Sequence, residues 1–85
     1  MPFEGYEWDE NKEVSNLAKH GVSFEEAMSA VEDALEAETI SSPFRSKGGE
    51  ARYEAEGVSD FGRPLVVVFT LRNKNCRIIS ARRRA

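Results

Sequence analysis

The sequence predicts an α+β domain in which two N-terminal helices pack on one face of a small, mostly antiparallel sheet. Two segments with the apolar spacing of helices come first, and several short segments with the spacing of strands follow them. A chain of 85 residues can build one core from a single layer of helices on one sheet. We therefore expect a single domain over residues 1–85, with the second face of the sheet left free.

A short strand and a first helix are expected at the N-terminus. Aromatic residues between Phe3 and Trp8 indicate the strand, and Asp9 is a typical N-cap for a helix over Asn11 to His20. Gly21 follows, where helices commonly end in the left-handed conformation. This helix is amphipathic, and its apolar positions are Val14, Leu17 and Ala18.

The second helix begins with the clearest local signal in the sequence. Ser23 to Glu26 form a capping box, in which the serine hydroxyl and the glutamate carboxylate each accept a hydrogen bond from the other residue's backbone N–H. Val22 and Ala27 are suited to the accompanying hydrophobic staple. Apolar residues continue at helical spacing, and we expect the helix to end between Asp33 and Leu35.

Several strands are expected after the helices. Glu36 to Ile40 is predicted as an edge strand, and Ser41 to Gly49 as an exposed loop. Glu50 to Glu56 alternates in polarity like a half-buried strand, whereas Leu65 to Leu71 is apolar on both faces and belongs in the sheet interior. After a short turn, the last strand is predicted over Arg77 to Ser80.

Charge is distributed unevenly along the chain. Residues 1–40 carry 11 acids and two lysines, a net charge of −9, whereas residues 41–85 carry ten Lys and Arg against four acids, a net charge of +6. Such asymmetry favours a domain with a basic side that meets phosphate or an acidic partner. The alternative is that the charges only solvate two surfaces.

Several classes of protein are excluded by composition. Cys76 is the single cysteine and His20 the single histidine, so no internal disulfide and no zinc site of Cys and His can form. The N-terminus lacks the pattern of a signal peptide, and the longest apolar run, Leu65 to Phe69, is too short to span a bilayer. We expect a cytoplasmic protein without metal or cofactor.

Several segments, in their order and spacing, resemble the BrnT toxin family. They are Trp8 to Lys12, Asn16, Lys19 to Ala27, Gly49 to Tyr53, and Arg77 to Arg82. The resemblance covers residues 6–84, and its most specific part is the combination of Lys-His-Gly-Val with Ile-Ser-Ala-Arg. It implies a RelE-like fold, a ribonuclease activity that arrests translation, and a protein antitoxin called BrnA.

Two departures from the family keep a second hypothesis open. Similar proteins often place a ring side chain after the loop arginine, where this sequence has Ser46 after Arg45. They also usually continue into a basic helix, whereas this sequence stops at Ala85. The alternative is therefore an inactive toxin-like domain that acts only as a protein-binding module. In either case we expect contact with DNA only through the antitoxin complex, because no recognition helix is evident.

Cleavage of RNA requires no metal, because the 2′-hydroxyl of RNA attacks the adjacent phosphate when protons are moved and charge is stabilised. Arginine holds two phosphate oxygens at once, which makes Arg52, Arg77 and Arg82 the expected phosphate clamp. Histidine changes its protonation state near neutral pH, so His20 is a candidate acid or base, and Glu50 a candidate proton acceptor. The expected catalytic residues are His20, Glu50, Arg52 and Arg82, and the expected RNA-binding residues are Lys12, Lys19, Arg45 and Arg77.

Each of these assignments has a structural alternative. Arg52 is also placed to pair with Glu54 or Glu56, and the terminal arginines to solubilise an edge strand. His20 sits at a helix C-terminus, where it interacts favourably with the last carbonyls. Trp8 and Tyr6 are able to stack on bases, although aromatic residues beside a first helix are more often part of the core.

Overall fold

The structure, a computed structural model, describes residues 3–45 and 50–84. These residues form two helices and five strands, and the strands make one sheet in the order β1-β5-β4-β3-β2. In chain order the elements are β1 (Gly5–Glu7), α1 (Glu10–His20), α2 (Phe24–Ala37), β2 (Ile40–Arg45), β3 (Ala51–Val58), β4 (Pro64–Arg72) and β5 (Asn75–Arg83). Neither helix is long and apolar enough to cross a membrane.

The α+β architecture is confirmed, but the sheet is mixed. Strands β2 to β5 pair antiparallel with their neighbours, whereas β1 pairs parallel with β5. Short connections join β3 to β4 and β4 to β5, and such connections impose antiparallel pairing. The strand β1 is separated from β5 by both helices, so no hairpin sets its direction.

Helix α1 has the predicted ends but not the expected packing. Asp9 accepts hydrogen bonds from the backbone N–H groups of Asn11 and Lys12, and Gly21 ends the helix at φ 70°. An amphipathic helix ordinarily buries its apolar side. Here Val14 is 69% and Leu17 50% exposed, because α1 lies beside β5 and buries Asn16 instead.

Helix α2 covers one face of the sheet through small residues. Ala27, Ala30 and Ala34 are fully buried and bring the helix backbone close to β3. A Cβ atom on Gly57 of β3 would lie 2.1 Å from the carbonyl oxygen of Ala30. Glycine is therefore required at this crossing.

The predicted capping box is only half formed. The hydroxyl of Ser23 accepts a hydrogen bond from the backbone N–H of Glu26, at 3.0 Å. The carboxylate of Glu26 does not turn back to Ser23, because it is buried and receives hydrogen bonds from Arg63 and Ser59. A long-range ion pair has replaced the local bond.

The prediction of an edge strand over Glu36 to Ile40 is wrong in its position. Helix α2 continues to Ala37, two residues beyond the expected end, and Glu38 caps it in the left-handed conformation at φ 58°. Strand β2 then begins at Ile40 and runs into the segment expected to be a loop. The edge position of β2 and a register shift between Ser41 and Phe44 accommodate Pro43. The rest of that predicted loop, residues 46–49 with Ser46, lies outside the described residues.

Strands β4 and β5 form the centre of the sheet. Leu65, Val67 and Phe69 face the helices within the core, so the alternate residues of β4 face the other way. The turn between the strands places Asn73 and Lys74 at positive φ, as a tight hairpin requires. Strand β5 extends to Arg83, beyond the predicted end at Ser80, and therefore includes Arg82.

Candidate nucleic-acid interface

The face of the sheet opposite α2 carries Arg52, Arg77 and Arg82, and we call it the arginine face. Thr70 pairs with Arg77 of β5, and the register of β3 places Arg52 on the other side of Thr70. Arg82 lies opposite Val66, further along β4. The strand register thus puts the three arginines on one face of the sheet.

The three arginines do not form a single clamp. The backbones of Arg52 and Arg77 are about 10 Å apart, since they lie two strands from each other. Arg82 lies four residues further along the sheet, about 13 Å from their row and on the order of 16 Å from Arg52. One phosphate therefore does not reach all three.

Arg72 completes a group of arginines that sequence reasoning missed. It is the last residue of β4, and its Nη2 lies 3.7 Å from Oε2 of Glu50. With Arg52 and Arg77 it forms what we call the arginine cluster, at one end of the arginine face. The signal in the sequence was the alternation of β4, which puts Arg72 on the same face as Thr70.

Arg52 does not pair with the carboxylates considered from the sequence. Glu56 instead accepts a hydrogen bond from Arg84, at 3.3 Å, and Arg52 forms no ion pair with a described carboxylate. Its Nε is buried and has no hydrogen-bond partner among the described residues. Buried polar atoms usually have partners, so this nitrogen is a candidate donor to a bound anion.

Arg77 is held in place by an acid from β1. Its Nη1 donates to Oε2 of Glu7 at 2.6 Å, and the amide of Asn75 donates to the other carboxylate oxygen at 3.1 Å. These bonds from Asn75 and Arg77 hold the pKa of Glu7 below its ordinary value. Glu7 therefore stays charged at neutral pH and orients Arg77.

A groove between α1 and β5 brings together three other expected site residues. Its volume is about 320 Å³, and we call it the α1–β5 groove. Lys12, Lys19 and His20 all contribute to its wall, as their spacing on one helix allows. The full lining is Asn11, Lys12, Ser15, Asn16, Lys19, His20, Ile79 and Ser80.

Asn16 and a β-bulge build this groove. The side-chain amide of Asn16 donates to the carbonyl oxygen of Ala81 at 2.8 Å and to that of Val22 at 3.0 Å, and its oxygen accepts from the N–H of Ala81 at 3.1 Å. Asn16 thus forms hydrogen bonds with the backbone N–H and C=O of Ala81 at the edge of β5, as a neighbouring strand would. Phe69 pairs with Ile78 and Val68 with Ser80, so Ile79 is the extra residue of a bulge.

The expected catalytic residues are divided between two places. Arg52 belongs to the arginine cluster and Glu50 lies beside it, whereas His20 lines the groove beyond β5. Ser80 connects the two places, because it faces the groove and also lies opposite Val68 on the arginine face. Arg82 follows Ser80 by two residues, and its side chain is exposed.

The remaining expected residues have clear positions or lie outside the description. The backbone of Arg45 pairs with Ala51 at the edge of the sheet, but its side chain is not among the described ones. Trp8 packs edge to face on Phe24, with ring centroids 6.0 Å apart. The hydroxyl of Tyr6 donates to Glu32, and both aromatic residues pack against the core.

Among the described residues, no group of three His, Cys, Asp or Glu is placed to hold a metal ion.

Comparisons with known proteins agree with the resemblance in the sequence. A family described as "Ribonuclease toxin, BrnT, of type II toxin-antitoxin system" matches residues 8–85. The crystal structure of the Brucella abortus ribonuclease toxin BrnT matches with a TM-score of 0.69 and 26% identity. The match covers 95% of this chain and 96% of that chain. No curated protein matches the sequence.

Proposed function

This chain belongs to the BrnT family of ribonuclease toxins of type II toxin–antitoxin systems, and we propose that it cleaves RNA without a metal and thereby arrests translation in the cytoplasm. The observation that carries the proposal is the arginine cluster, in which Arg52, Arg72 and Arg77 share one face of the sheet and Arg72 lies 3.7 Å from Glu50. A BrnA-like antitoxin would neutralise the activity, and DNA would be contacted only through that complex. The relation to RelE-like toxins is part of this proposal.

The arginine cluster supplies the groups that metal-independent cleavage needs. Arg52 and Arg77 hold the oxygens of the reacting phosphate, and the buried Nε of Arg52 gains the partner it lacks. Positive charge fixed in this position stabilises the extra negative charge of the transition state. Glu7 keeps Arg77 in the required orientation.

Glu50 is the proton acceptor in this proposal. It takes the proton of the RNA 2′-hydroxyl, and the 2′-oxygen attacks phosphorus. The bond to the 5′-oxygen breaks, the leaving oxygen takes a proton from water, and a 2′,3′-cyclic phosphate remains. Arg72 lies 3.7 Å from the carboxylate and keeps it beside the arginine cluster.

His20 and Arg82 then act on RNA beyond the reacting phosphate. His20 lines the groove on the far side of β5 and so does not share a phosphate with Glu50. Arg82 contacts the backbone of the same strand of RNA along the arginine face. Lys12 and Lys19 are proposed as RNA-binding residues in the groove, and Arg45 as a contact near β3.

The experiment is cleavage of total RNA in EDTA by the purified chain and by single variants. Glu50→Gln and Arg52→Ala are expected to lower kcat by at least about a hundredfold, which is the usual contribution of general base or charge stabilisation. Arg82→Ala and His20→Ala are expected to raise KM more than they lower kcat. Arg83→Ala is the matched control, because Arg83 is exposed and lies opposite the core-facing residue Leu65. Equal cleavage by the parent and the Arg52→Ala variant would contradict the assigned centre.

A second candidate function is a protein-binding module without activity. The exposed apolar residues Val14 and Leu17 on α1 favour it, because an apolar stripe on a helix is typical of a docking surface. This candidate predicts a stable complex with the antitoxin and no RNA cleavage by the folded parent. Cleavage that is lost in Arg52→Ala would exclude it.

A further inference from the structure

The α1–β5 groove lies beside the arginine cluster and contains none of its residues. We propose that this groove binds one unpaired nucleotide of the RNA, next to the bond that is cut. The phosphate of this nucleotide lies between Lys12 and Lys19, and its base lies against Ile79. The inference rests on the proposed ribonuclease function, which supplies RNA as the substrate.

The charge of the groove differs from that of the sequence around it. Residues 1–40 contain 11 acids, yet no carboxylate is among the eight residues that line the groove. Lys12 and Lys19 are exposed, and neither forms an ion pair with a described carboxylate. The groove is thus a local cationic site within the acidic N-terminal half of the chain, which favours an anion such as phosphate.

The size and the neutral side chains of the groove suit a nucleotide better than a bare anion. Its volume of about 320 Å³ falls within the range typical of small-ligand sites. Asn11, Ser15 and Ser80 offer donors and acceptors to the edge of a base, and Ile79 offers an apolar contact to its ring. A base whose edge is bound in this way has to leave its partner strand, so the site selects unpaired RNA.

The groove is held open before any ligand arrives. The buried amide of Asn16 makes three hydrogen bonds, and these attach α1 to β5 and to the turn after α1. The bulge at Ile79 fixes the backbone of the opposite wall. A site that is already ordered loses less entropy on binding, which increases affinity for a small ligand.

The position of the groove connects it to the reaction. Ser80 lies opposite Val68 and Arg77 opposite Thr70, so the two residues are about 7 Å apart along the sheet. A single strand of RNA that places one phosphate at Arg77 therefore brings a neighbouring nucleotide to the groove. This nucleotide gives the toxin a means of sequence preference that arginine contacts to phosphate do not provide.

The test is an NMR titration of the folded chain in EDTA with each of the four nucleoside 3′-monophosphates, with inorganic phosphate, and with the nucleosides. Ser15→Leu fills the groove from an exposed helical position, and Ala18→Leu is the matched control on the exposed side of α1. Lys19→Gln is a second groove variant that removes charge without adding volume. We expect nucleotides to shift the signals of Asn11, Ser15, Ile79 and Ser80, and the Kd to rise at least about tenfold in Ser15→Leu and Lys19→Gln but not in Ala18→Leu.

Two results would overturn the inference. One is an equal affinity for inorganic phosphate and for all nucleotides, which would show an anion site without a place for the base. The other is nucleotide binding that leaves the groove signals unmoved. The titration does not depend on cleavage, so the two proposals are tested separately. Binding in the groove by a chain that cuts no RNA would support the inference and contradict the proposed ribonuclease function. Cleavage of RNA by a chain that binds no nucleotide in the groove would support the ribonuclease function and contradict the inference.

Discussion

At the scale of single residues, two ion pairs have different roles in this protein. Glu26 is buried at the start of α2, and Arg63 from the loop before β4 donates to both of its carboxylate oxygens. Arg63 also donates to the carbonyl oxygen of Gly21, at 2.9 Å. This pair therefore connects the turn between the helices to the sheet. The pair of Glu7 and Arg77 has a different role, because it orients an arginine that faces the proposed substrate.

The Glu26 pair predicts a specific dependence of stability on pH. Hydrogen bonds from Arg63, against the opposing effect of burial, hold the pKa of Glu26 below its ordinary value. A lowered pKa in the folded state means that the stabilisation is fully present above the unfolded-state pKa of about 4.3. It is lost as the pH falls through the lower, folded-state pKa.

Glu26→Gln is therefore expected to lower the free energy of unfolding by about 2 kcal/mol at pH 7, the usual contribution of hydrogen bonds to a charged group. The difference from the parent should shrink as the pH falls through the folded-state pKa. Urea unfolding at several pH values measures this, with the exposed neighbour Glu25→Gln as the control. A difference that stays constant down to the lowest pH would show that the charge of Glu26 contributes nothing.

The Glu7 pair predicts a gain of RNA affinity on mutation. Glu7→Gln removes the charge that competes with phosphate for Arg77, so binding of a non-cleavable 2′-deoxy analogue should strengthen about threefold. The cleavage rate should fall at the same time, because Arg77 loses its orientation. Fluorescence anisotropy and single-turnover kinetics separate the two effects. Weaker binding by Glu7→Gln would indicate that orientation matters more than competition.

At the scale of elements, close contact between α2 and β3 sets the geometry of the sheet. The three alanines on α2 and Gly57 on β3 allow the two backbones to approach. This contact leaves the opposite side of β3 to Arg52 and Glu54. Helix α1 is attached in another way, through the amide of Asn16, and its apolar side remains exposed.

Gly57→Ala is expected to destabilise the protein by about 3 kcal/mol, since the added methyl group meets a helix carbonyl that has no room to move. Thermal unfolding followed by circular dichroism measures the loss. Val58→Ala, at the exposed neighbouring position, should change stability by less than about 0.5 kcal/mol. An unchanged melting temperature in Gly57→Ala would mean that α2 shifts easily on the sheet.

At the scale of the whole molecule, the net charge does not indicate the basic face of the sheet. The chain carries −3 overall, but the strands of its basic half place arginines on one face of the sheet. The groove adds two lysines from the acidic half to the same region. RNA binding should therefore depend on local charge and on salt, and only weakly on net charge.

Each phosphate contact to single-stranded RNA contributes about 0.7 to the slope of log K against log salt concentration. Arg52→Ala and Arg82→Ala are each expected to reduce the slope by that amount, and the double variant by about twice as much. Arg83→Ala should leave the slope unchanged, since it lies on the side of Leu65 rather than on the arginine face. Equal slopes for the three single variants would contradict the assignment of the arginine face.

The sequence by itself determined the α+β class, the family, both ends of α1, the start of α2 and the central strand β4. These features depend on local signals, namely the caps at Asp9 and Ser23, the left-handed glycine at Gly21, and the β-branched run from Leu65. The alternation of polarity over Glu50 to Glu56 also predicted β3 as a half-buried strand.

Only the tertiary structure decided the parallel pairing of β1, the exposure of Val14 and Leu17, and the separation of His20 from Glu50. Each of these depends on contacts between residues far apart in the chain. Asn16 pairs with Ala81, which is 65 residues away, and Glu26 with Arg63, which is 37 residues away. A helical pattern states which residues share a side of the helix, but not whether that side meets the core or the solvent.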